Sequence, residues 1–315
     1  MCFVRNPMTA FGPSSKIGFV GAGKVGGSIA VALSRAGFTV VAVASRTLAS
    51  AREFAERVPG CVACERPQEV VDRADVVFIT SGDDAIGPVA SGINWRPGHG
   101  VVHCSGAASL DVFEKAVGQG AVAGAFHPLQ AVSSVENGVD SIPGITFGIE
   151  ADGEMGEYLT ETARAIGGNP IFLRPEDKAM YHLTGVLMGN LLTTLGAVAA
   201  QMWETFGFTR AEGVKALAPM MRQVSVNLER SGVPDAVAGP YPRGDIGTVR
   251  KHLEALRSHA PEYLPLYCEL ALAGLPFAVE KGPIDEDGAD EIRRLVEEYR
   301  TGGTGRLQGA EPTGT

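Results

Sequence analysis

The feature that most constrains the fold is a glycine-rich turn directly after a short apolar run. Lys16–Val20 reads as a buried strand, and Gly21-Ala22-Gly23-Lys24-Val25-Gly26 follows it at once. Residues 25–35 then carry apolar side chains at helical spacing, and Gly37 marks the end of that helix. A strand, a turn with glycines at this spacing and a helix form the opening unit of a βαβ fold. The sequence therefore predicts a sheet built outward from this strand.

The three glycines of this turn have separate roles if the segment binds a dinucleotide. Gly21 permits a tight turn, Gly23 lets a pyrophosphate approach the backbone, and Gly26 lets the helix pack closely on the strand. The N-terminus of the helix supplies N–H donors and positive potential to the phosphates. The alternative is a glycine-rich turn without a ligand, but the strand–turn–helix context favours a dinucleotide site.

Strand and helix patterns alternate through the first half of the chain. Further strands are predicted at 39–44, 62–64, 76–80, 100–103, 121–125, 145–149 and 171–173. This alternation is typical of a doubly wound, mostly parallel Rossmann sheet of the α/β class. After Pro175 the strand patterns stop, and helices are predicted at 177–206, 210–231, 248–258, 263–273 and 289–299. We predict a dinucleotide-binding domain over 14–174, an all-helical substrate and dimerisation domain over 175–300, and a disordered tail over 301–315.

Composition narrows the class of protein. The net charge of the 315 residues is −9, which argues against a nucleic-acid-binding protein. Five cysteines, an odd number, argue against a secreted disulfide scaffold. Cys61 and Cys64 have a metal-ligand spacing, but a strand would send them to opposite faces, so we predict a structural role and no metal site. Residues 1–15 lack the apolar run of a secretory signal, and a cytoplasmic protein is predicted.

One uncharged segment, 179–203, is long enough to span a bilayer. It also contains His182, Thr184 and Asn190, which are costly in contact with lipid. We therefore expect a long helix buried in a soluble core or at a subunit interface, and no membrane partner.

The end of the second predicted strand indicates which dinucleotide binds. A carboxylate roughly 20 residues after the glycines would hold a ribose 2′-hydroxyl and select NAD. This chain has Ser45-Arg46-Thr47 there instead. A guanidinium and two hydroxyls suit a 2′-phosphate, so NADP(H) is favoured over NAD(H). The alternative for Arg46 is a solvated surface cation.

Two further strand ends are expected to border the same crevice, because open α/β sheets bind ligands beyond the carboxyl ends of their strands. Thr80, Ser81 and Asp83 follow the fourth strand, and Ser105 and Gly106 follow the fifth. Their small or hydroxyl side chains let a cofactor lie close, although each also fits an ordinary turn.

The candidates for chemistry lie at the rim of the sheet and at the start of the uncharged helix. His127 is predicted just after the sixth strand, where it can donate a proton, contact substrate or simply cap the loop. Lys178 and His182 share a helix face at i, i+4, and Asn190 lies close to the same side. A Lys and a His entering a buried helix are costly unless they are paired or used. Burial would lower their pKa values toward the range of general acids; the alternative is a satisfied structural His.

A loop in the predicted helical domain carries further polar candidates. Arg243 can hold a substrate carboxylate, and Asp245 can cap the following helix or orient His252. Gln130, next to the predicted sixth strand, is a further substrate-contact candidate. A capped surface loop with a solvated Arg243 accounts for the same residues equally well.

Taken together, these motifs resemble those of a known group of proteins. GAGKVGG, CSGAASLDVF, AFHPLQ, the Lys178–Tyr181–His182–Asn190 helix and GPYPRGDIGTVRKHLEAL occur in this order between residues 16 and 275. The chain is similar to bacterial Rossmann-like oxidoreductases whose C-terminal helical half is a domain of unknown function. More distantly it resembles pyrroline-5-carboxylate reductase, ketopantoate reductase and the β-hydroxyacid dehydrogenases. In the β-hydroxyacid relatives a helix Lys and a nearby Asn act at the reacting oxygen; Lys178 and Asn190 match them at a wider spacing.

The resemblance implies a nicotinamide-binding domain followed by a helical domain that often mediates dimerisation. The leading hypothesis is an NADPH-dependent oxidoreductase that reduces a C=O or C=N group of a small, carboxylate-bearing substrate, as a homodimer. His182 or Lys178 would supply the proton, and Arg243 and Gln130 would orient the substrate. The competing hypothesis is an NADP-binding sensor that performs no turnover.

Overall fold

The computed structural model describes residues 11–302, which form two compact units. Residues up to Leu191 belong to the first unit and residues from Leu192 to the second. Most of the predicted tail, 303–315, lies outside the described residues, whereas Thr301 and Gly302 are still helical. The predicted domain boundary at 174 marks the change from strands to helices, and the two units divide later, inside a helical segment.

The first unit is an eight-stranded sheet flanked by helices, which confirms the predicted fold class. The strand order is β3-β2-β1-β4-β5-β6-β7-β8. The strands are β1 Lys16–Val20, β2 Thr39–Ala44, β3 Val62–Cys64, β4 Val76–Ile79, β5 Gly100–His103, β6 Val122–Pro128, β7 Thr146–Glu150 and β8 Asn169–Phe172. The helices are α1 Lys24–Arg35, α2 Leu48–Glu56, α3 Pro67–Val71, α4 Asp83–Ser91, α5 Glu114–Gly118, α6 Val135–Ser141 and α7 Gly153–Ala165.

Both faces of this sheet are covered, as its β-branched and apolar strands require. All four residues of β4 and of β5 are buried. One core cluster packs on each side of the sheet. Cys61 contacts one of these clusters and Cys64 belongs to the other, so the two thiols lie on opposite faces.

The sixth strand is longer than predicted. It extends through Phe126 and His127 to Pro128, because it pairs antiparallel with β7 along its last four residues. The prediction that His127 follows the strand is therefore wrong; His127 is held inside the strand by its pairing with Gly148. The other strands pair in parallel, so the carboxyl ends of β1, β4, β5 and β6 meet at one edge.

A long helical segment, Pro175–Phe206, follows the sheet. It consists of a short 3₁₀ turn, α8 Lys178–Val186, a π-helical turn Leu187–Leu191, α9 Leu192–Gln201 and a final 3₁₀ turn. By length and composition it is the one helix of the described residues that qualifies as a membrane span.

This segment is not buried in the core, so that part of the prediction is wrong. Only 6% of its most apolar window is buried. Met180, Leu183, Leu187, Met188 and Leu191 are all exposed. The physical reason is that Met180, Leu183, Leu187 and Leu191 recur at intervals of three and four residues, so they form one apolar stripe, and this stripe faces away from the core.

The second unit contains only helices among its described residues. Its remaining helices are α10 Arg210–Ser231, α11 Ile246–His259, α12 Leu264–Lys281 and α13 Glu286–Gly302. The last three share a core that includes Val249, Leu253, Cys268 and Leu275. In α10, by contrast, only Gly213 is buried.

Candidate active site

The glycine turn between β1 and α1 has the geometry that a dinucleotide site needs. Gly21 has φ +119°, which a side chain would strain. A Cβ on Gly26 would lie 2.3 Å from Thr80 Oγ1, so only glycine lets α1 approach the end of β4. A Cβ on Gly23 would meet only the Thr80 carbonyl oxygen, at 3.8 Å, which leaves open space over the turn. Gly21 and Gly26 thus meet steric demands of the fold, and Gly23 leaves the turn open.

The N-terminus of α1 is free to bind an anion. Gly23 is the N-cap residue and offers no side-chain cap, and no acidic residue lies in the first turn. The exposed Lys24 and the half-buried Ala22 and Val25 flank this end. Nearby, Ser81 Oγ is buried and has no hydrogen-bond partner within the described chain. Unsatisfied helix N–H groups and an orphaned hydroxyl fit a phosphate-bearing ligand.

The end of β2 presents a free cation. Arg46 is exposed and makes no ion pair among residues 11–302. Ser45 beside it is half-buried, while Thr47 caps α2 by accepting a hydrogen bond from Ser50 N at 3.2 Å. The Thr47 hydroxyl therefore has a local partner, and Arg46 is the group at this strand end best suited to a 2′-phosphate.

The loops after β4 and β5 are joined by a side-chain hydrogen bond. Ser105 Oγ donates to Asp83 Oδ2 at 2.8 Å and accepts from the backbone N–H groups of Ala107 and Ala108. Thr80 Oγ1 donates to the Gly21 carbonyl at 2.9 Å. These hydroxyls organise the crevice, so in the structure Thr80 and Ser105 fix the shape of its walls.

Two histidines meet at the same edge of the sheet. The rings of His127, on β6, and His182, on α8, have centroids 6.0 Å apart in an edge-to-face arrangement. Gly106 separates them: a Cβ there would lie 2.7 Å from His182 Cδ2 and 2.8 Å from His127 Nε2. Behind His127, its Nδ1 hydrogen-bonds to the Tyr181 hydroxyl at 3.1 Å. Residues far apart in sequence thus form one cluster next to the β5 loop.

The environment of His127 keeps its imidazole neutral. Burial lowers the pKa of His127 to about 4, and the nearby His182 and Lys178 add to this, with Asp83 acting in the opposite direction. Burial also raises the pKa of Tyr181 to about 12. At neutral pH the pair therefore consists of an uncharged imidazole and an uncharged phenol.

A pocket of about 380 Å³ opens beside the two histidines within the first unit. Its polar lining comes from His127, Gln130, His182, Thr184 and Asn190. Leu129, Val186 and Met188 supply apolar walls. Gln130 Oε1 accepts from Ala131 N at 2.8 Å, so its side chain is held at the pocket edge. A concave, half-apolar space with a few polar groups is typical of a small-molecule site.

Lys178 does not line this pocket. Its ammonium donates to Glu150 Oε2 at 2.7 Å, and the two residues are 2% and 7% exposed. Glu150 Oε1 also accepts from Leu110 N at 3.3 Å. The structure therefore separates Lys178 from His182, its neighbour on the same helix, and pairs it within the core.

The loop candidates of the second unit have local partners. Asp245 caps α11, accepting from Thr248 N at 3.0 Å and from Thr248 Oγ1 at 2.7 Å. It does not contact His252, whose Nδ1 hydrogen-bonds to the Tyr267 hydroxyl at 3.0 Å. Arg243 is exposed. This arrangement matches the capped surface loop that the sequence left open as an alternative.

Three residues of the site region were missed by the sequence reasoning. Tyr181 belonged to a quoted motif but received no role, although its place on α8 one residue before His182 was a signal. Glu150, an acid at the end of a buried strand, was a signal that a cation must face it. His103 is fully buried, and its Nε2 has no hydrogen-bond partner within the described residues. No sequence pattern distinguishes it from an ordinary strand residue.

Comparisons with known proteins agree with this architecture. Residues 9–128 match the model of a Rossmann-like domain, and residues 145–273 match that of a domain of unknown function (DUF2520). No curated protein matches the chain.

Solved structures with the same fold include a candidate NADP oxidoreductase from Bacteroides fragilis, 23% identical, with a TM-score of 0.64 over 92% of this chain and 99% of its own. A protein from Thermotoga maritima is 24% identical, with a TM-score of 0.64 over 90% and 99%. A reductive aminase from Aspergillus terreus, solved with NADPH and ethyl levulinate, is 16% identical, with a TM-score of 0.59 over 91% and 100%. At these identities the likeness establishes the fold.

Proposed function

We propose that this chain, which joins a Rossmann-like domain to a DUF2520 domain, is an NADPH-dependent reductase of small C=O or C=N compounds. The two domain matches confirm the resemblance seen in the motifs. The observation that carries the proposal is the pocket lined by His127 and His182, which lies beside Gly106. At the same edge of the sheet end the strands that precede the glycine turn, Asp83 and Ser105.

The residues of the crevice support NADPH as the cofactor. Gly21, Gly23 and the N-terminal turn of α1 would hold the pyrophosphate, and Arg46 with Ser45 would hold the 2′-phosphate. Ser81, with its orphaned hydroxyl, and Gly106, with no side chain, would allow the nicotinamide half to lie close. When bound, the cofactor supplies a hydride at its nicotinamide ring.

The chain's own residues would bind the substrate and manage its proton. His127, neutral and half-buried, would hydrogen-bond the electronegative atom of the reacting group. His182 would donate the proton, a contribution of roughly a hundred- to ten-thousand-fold in rate. Asn190 and Gln130 would orient the rest of the substrate, and Leu129, Val186 and Met188 would exclude water. Lys178 would lie outside the pocket and contribute a buried positive charge, paired with Glu150.

The solved structures with this fold add support. One is a reductive aminase in complex with NADPH, and another is a 1-pyrroline-5-carboxylate reductase from Streptococcus pyogenes. Both names describe reduction at a carbon–nitrogen bond. Because the likeness is one of fold, we carry over the reaction class and not the substrate.

The prediction of a carboxylate on the substrate rests on Arg243. None of the residues that line the pocket in the first unit is Lys or Arg. We therefore propose a small carbonyl or imine compound as the general substrate, and a carboxylate-bearing compound as its narrower form.

We also propose that the protein is a cytoplasmic homodimer. Met180, Leu187 and Met188 are exposed in the first unit, and Met220, Val224 and Leu270 in the second. Clusters of exposed apolar side chains are typical of interaction sites. The polar residues within the uncharged segment disfavour lipid and favour a second copy of the chain.

The experiment that tests the function is an NADPH-oxidation screen over keto acids, aldehydes, ketones and cyclic imines. We expect turnover with at least one of these classes, and a loss of about a hundredfold or more in kcat in His182→Ala. The matched control is His259→Ala, at the end of α11 in the other unit. Tight NADPH binding with no turnover on any compound would instead support the sensor hypothesis.

A further inference from the structure

The hydrogen bond between His127 and Tyr181 decides which nitrogen of His127 carries the proton. Nδ1 lies 3.1 Å from the Tyr181 hydroxyl, and the rings meet edge to face at 84°. The other nitrogen, Nε2, points toward Gly106 and the pocket. Only one of the two tautomers can present an N–H group to a ligand there.

The surroundings of Tyr181 set the direction of this bond. Its hydroxyl lies against the strand partner of His127: a Cβ on Gly148 would be 2.9 Å from the oxygen. Within residues 11–302 the acceptor in contact with the hydroxyl is His127 Nδ1, and a proton on Nδ1 would leave the phenol proton without an acceptor there. Tyr181 therefore donates, and Nδ1 is bare.

We propose that Tyr181 is a positioning residue that holds His127 as the neutral Nε2–H tautomer, so that the site selects a reacting group with an available lone pair. A ketone, an aldehyde or a neutral imine can accept the Nε2–H hydrogen bond. A protonated or N-alkylated iminium has no lone pair on nitrogen and would meet the N–H group end on. This inference rests on the proposed function and narrows its substrate class.

The groups that surround His127, taken together, favour its neutral imidazole. His182 on α8 and Lys178, also on α8 and paired to Glu150 of β7, disfavour a second proton on the imidazole. Asp83, at the start of α4, favours it, but its Oδ2 accepts from Ser105. Burial is the largest influence and also disfavours the cation. A fixed neutral donor in a partly dry site stabilises negative charge that develops on oxygen or nitrogen.

The first arm of the test is free of turnover. Nitrogen-15 NMR of the full-length apoprotein, with His127→Gln to assign the signals, reads the tautomer of His127 directly. We expect an N–H signal at Nε2 and a bare-nitrogen signal at Nδ1, and a mixed population in Tyr181→Phe. The matched control is Tyr267→Phe, which removes the same kind of Tyr–His bond at His252 and should leave the His127 signals unchanged. A proton on Nδ1 in the wild type would overturn the inference.

The second arm tests selectivity. At alkaline pH, 3,4-dihydroisoquinoline is a neutral imine, and its N-methyl salt is a permanent cation of nearly the same shape. We expect the neutral compound to bind at least tenfold more tightly to the NADPH-loaded protein, and Tyr181→Phe to reduce this preference several-fold. Equal binding, or preference for the cation, would overturn the substrate class. Failure of the proposed function looks different: the Nε2–H tautomer would be present, but no compound would be reduced.

Discussion

Lys178 and Glu150 form a buried ion pair, with Nζ 2.7 Å from Oε2 and both side chains almost completely inaccessible. The pair joins the first turn of α8 to the end of β7, and Glu150 also binds the Leu110 backbone. Because α8 carries Tyr181 and His182, this contact fixes the helix that supplies half of the candidate site.

Removing one partner of this ion pair should reduce the free energy of unfolding far more than removing both partners. Glu150→Gln keeps an acceptor for Leu110 N but leaves a buried ammonium without its counter-charge, as Lys178→Met leaves a buried carboxylate. We expect each single change to reduce the free energy of unfolding by about 3–5 kcal/mol, and the double variant to lose much less than their sum. Urea unfolding of the four proteins measures this. Additive losses would mean that the two charges do not interact.

Acid should destabilise the protein through its buried imidazoles. Burial, with Lys178 nearby, lowers the pKa of His103 to about 3 from its ordinary 6.5. The folded state therefore binds this proton less readily than the unfolded state, so the His103 contribution is complete above pH 6.5 and is lost as the pH falls toward 3. The loss is on the order of a few kcal/mol. We expect His103→Asn to unfold with a shallower dependence on pH than the wild type, in urea titrations over that window. Parallel curves would refute the assignment.

A methyl group at Gly106 should disturb the two histidines. The added Cβ would contact His182 Cδ2 and His127 Nε2 at less than 3 Å, forcing one ring to move. Displacement by about 1 Å can cost on the order of a hundredfold in rate. We expect Gly106→Ala to lose at least that much kcat. Gly82→Ala is the control, because no atom lies within 4 Å of its added carbon. Equal activity of the two variants would separate the histidine cluster from catalysis.

Arg46 should decide between the two nicotinamide cofactors. Hydrogen bonds to a charged group contribute about 1.5–3 kcal/mol, which corresponds to roughly ten- to a hundredfold in affinity. We expect Arg46→Ala to weaken NADPH binding by that factor and NADH binding much less, measured by calorimetric titration. Arg52→Ala, an exposed arginine on α2, is the control. Equal losses for both cofactors would remove Arg46 from the 2′-phosphate site.

Local signals were sufficient to predict much of the fold. The glycine turn defined β1 and α1, since each glycine answers a steric demand that the chain itself imposes. The limits of α10 agree with the predicted 210–231, because Thr209 and Glu212 form a capping box at its start.

The predictions were wrong where the structure depends on contacts between residues that are far apart in the sequence. The sixth strand was predicted to end at residue 125, but pairing with β7 carries it through His127 to Pro128. Lys178 was predicted as a proton donor, but its ammonium is paired with Glu150, which lies 28 residues away in the sequence. The site came together from β5, β6 and α8, whose proximity depends on a sheet order that no local pattern encodes.

The central claim is that this chain transfers a hydride to a substrate held beside His127 and His182. The most direct measurement uses two samples of NADPH, each deuterated at a different one of the two C4 positions. The product that the wild type, His127→Asn and His182→Asn form from each sample is analysed by mass spectrometry. We predict deuterium in the product from one of the two labelled cofactors and not the other, with formation slowed at least tenfold in both variants. Unlabelled product from both cofactors, or unchanged rates in both variants, would contradict the claim.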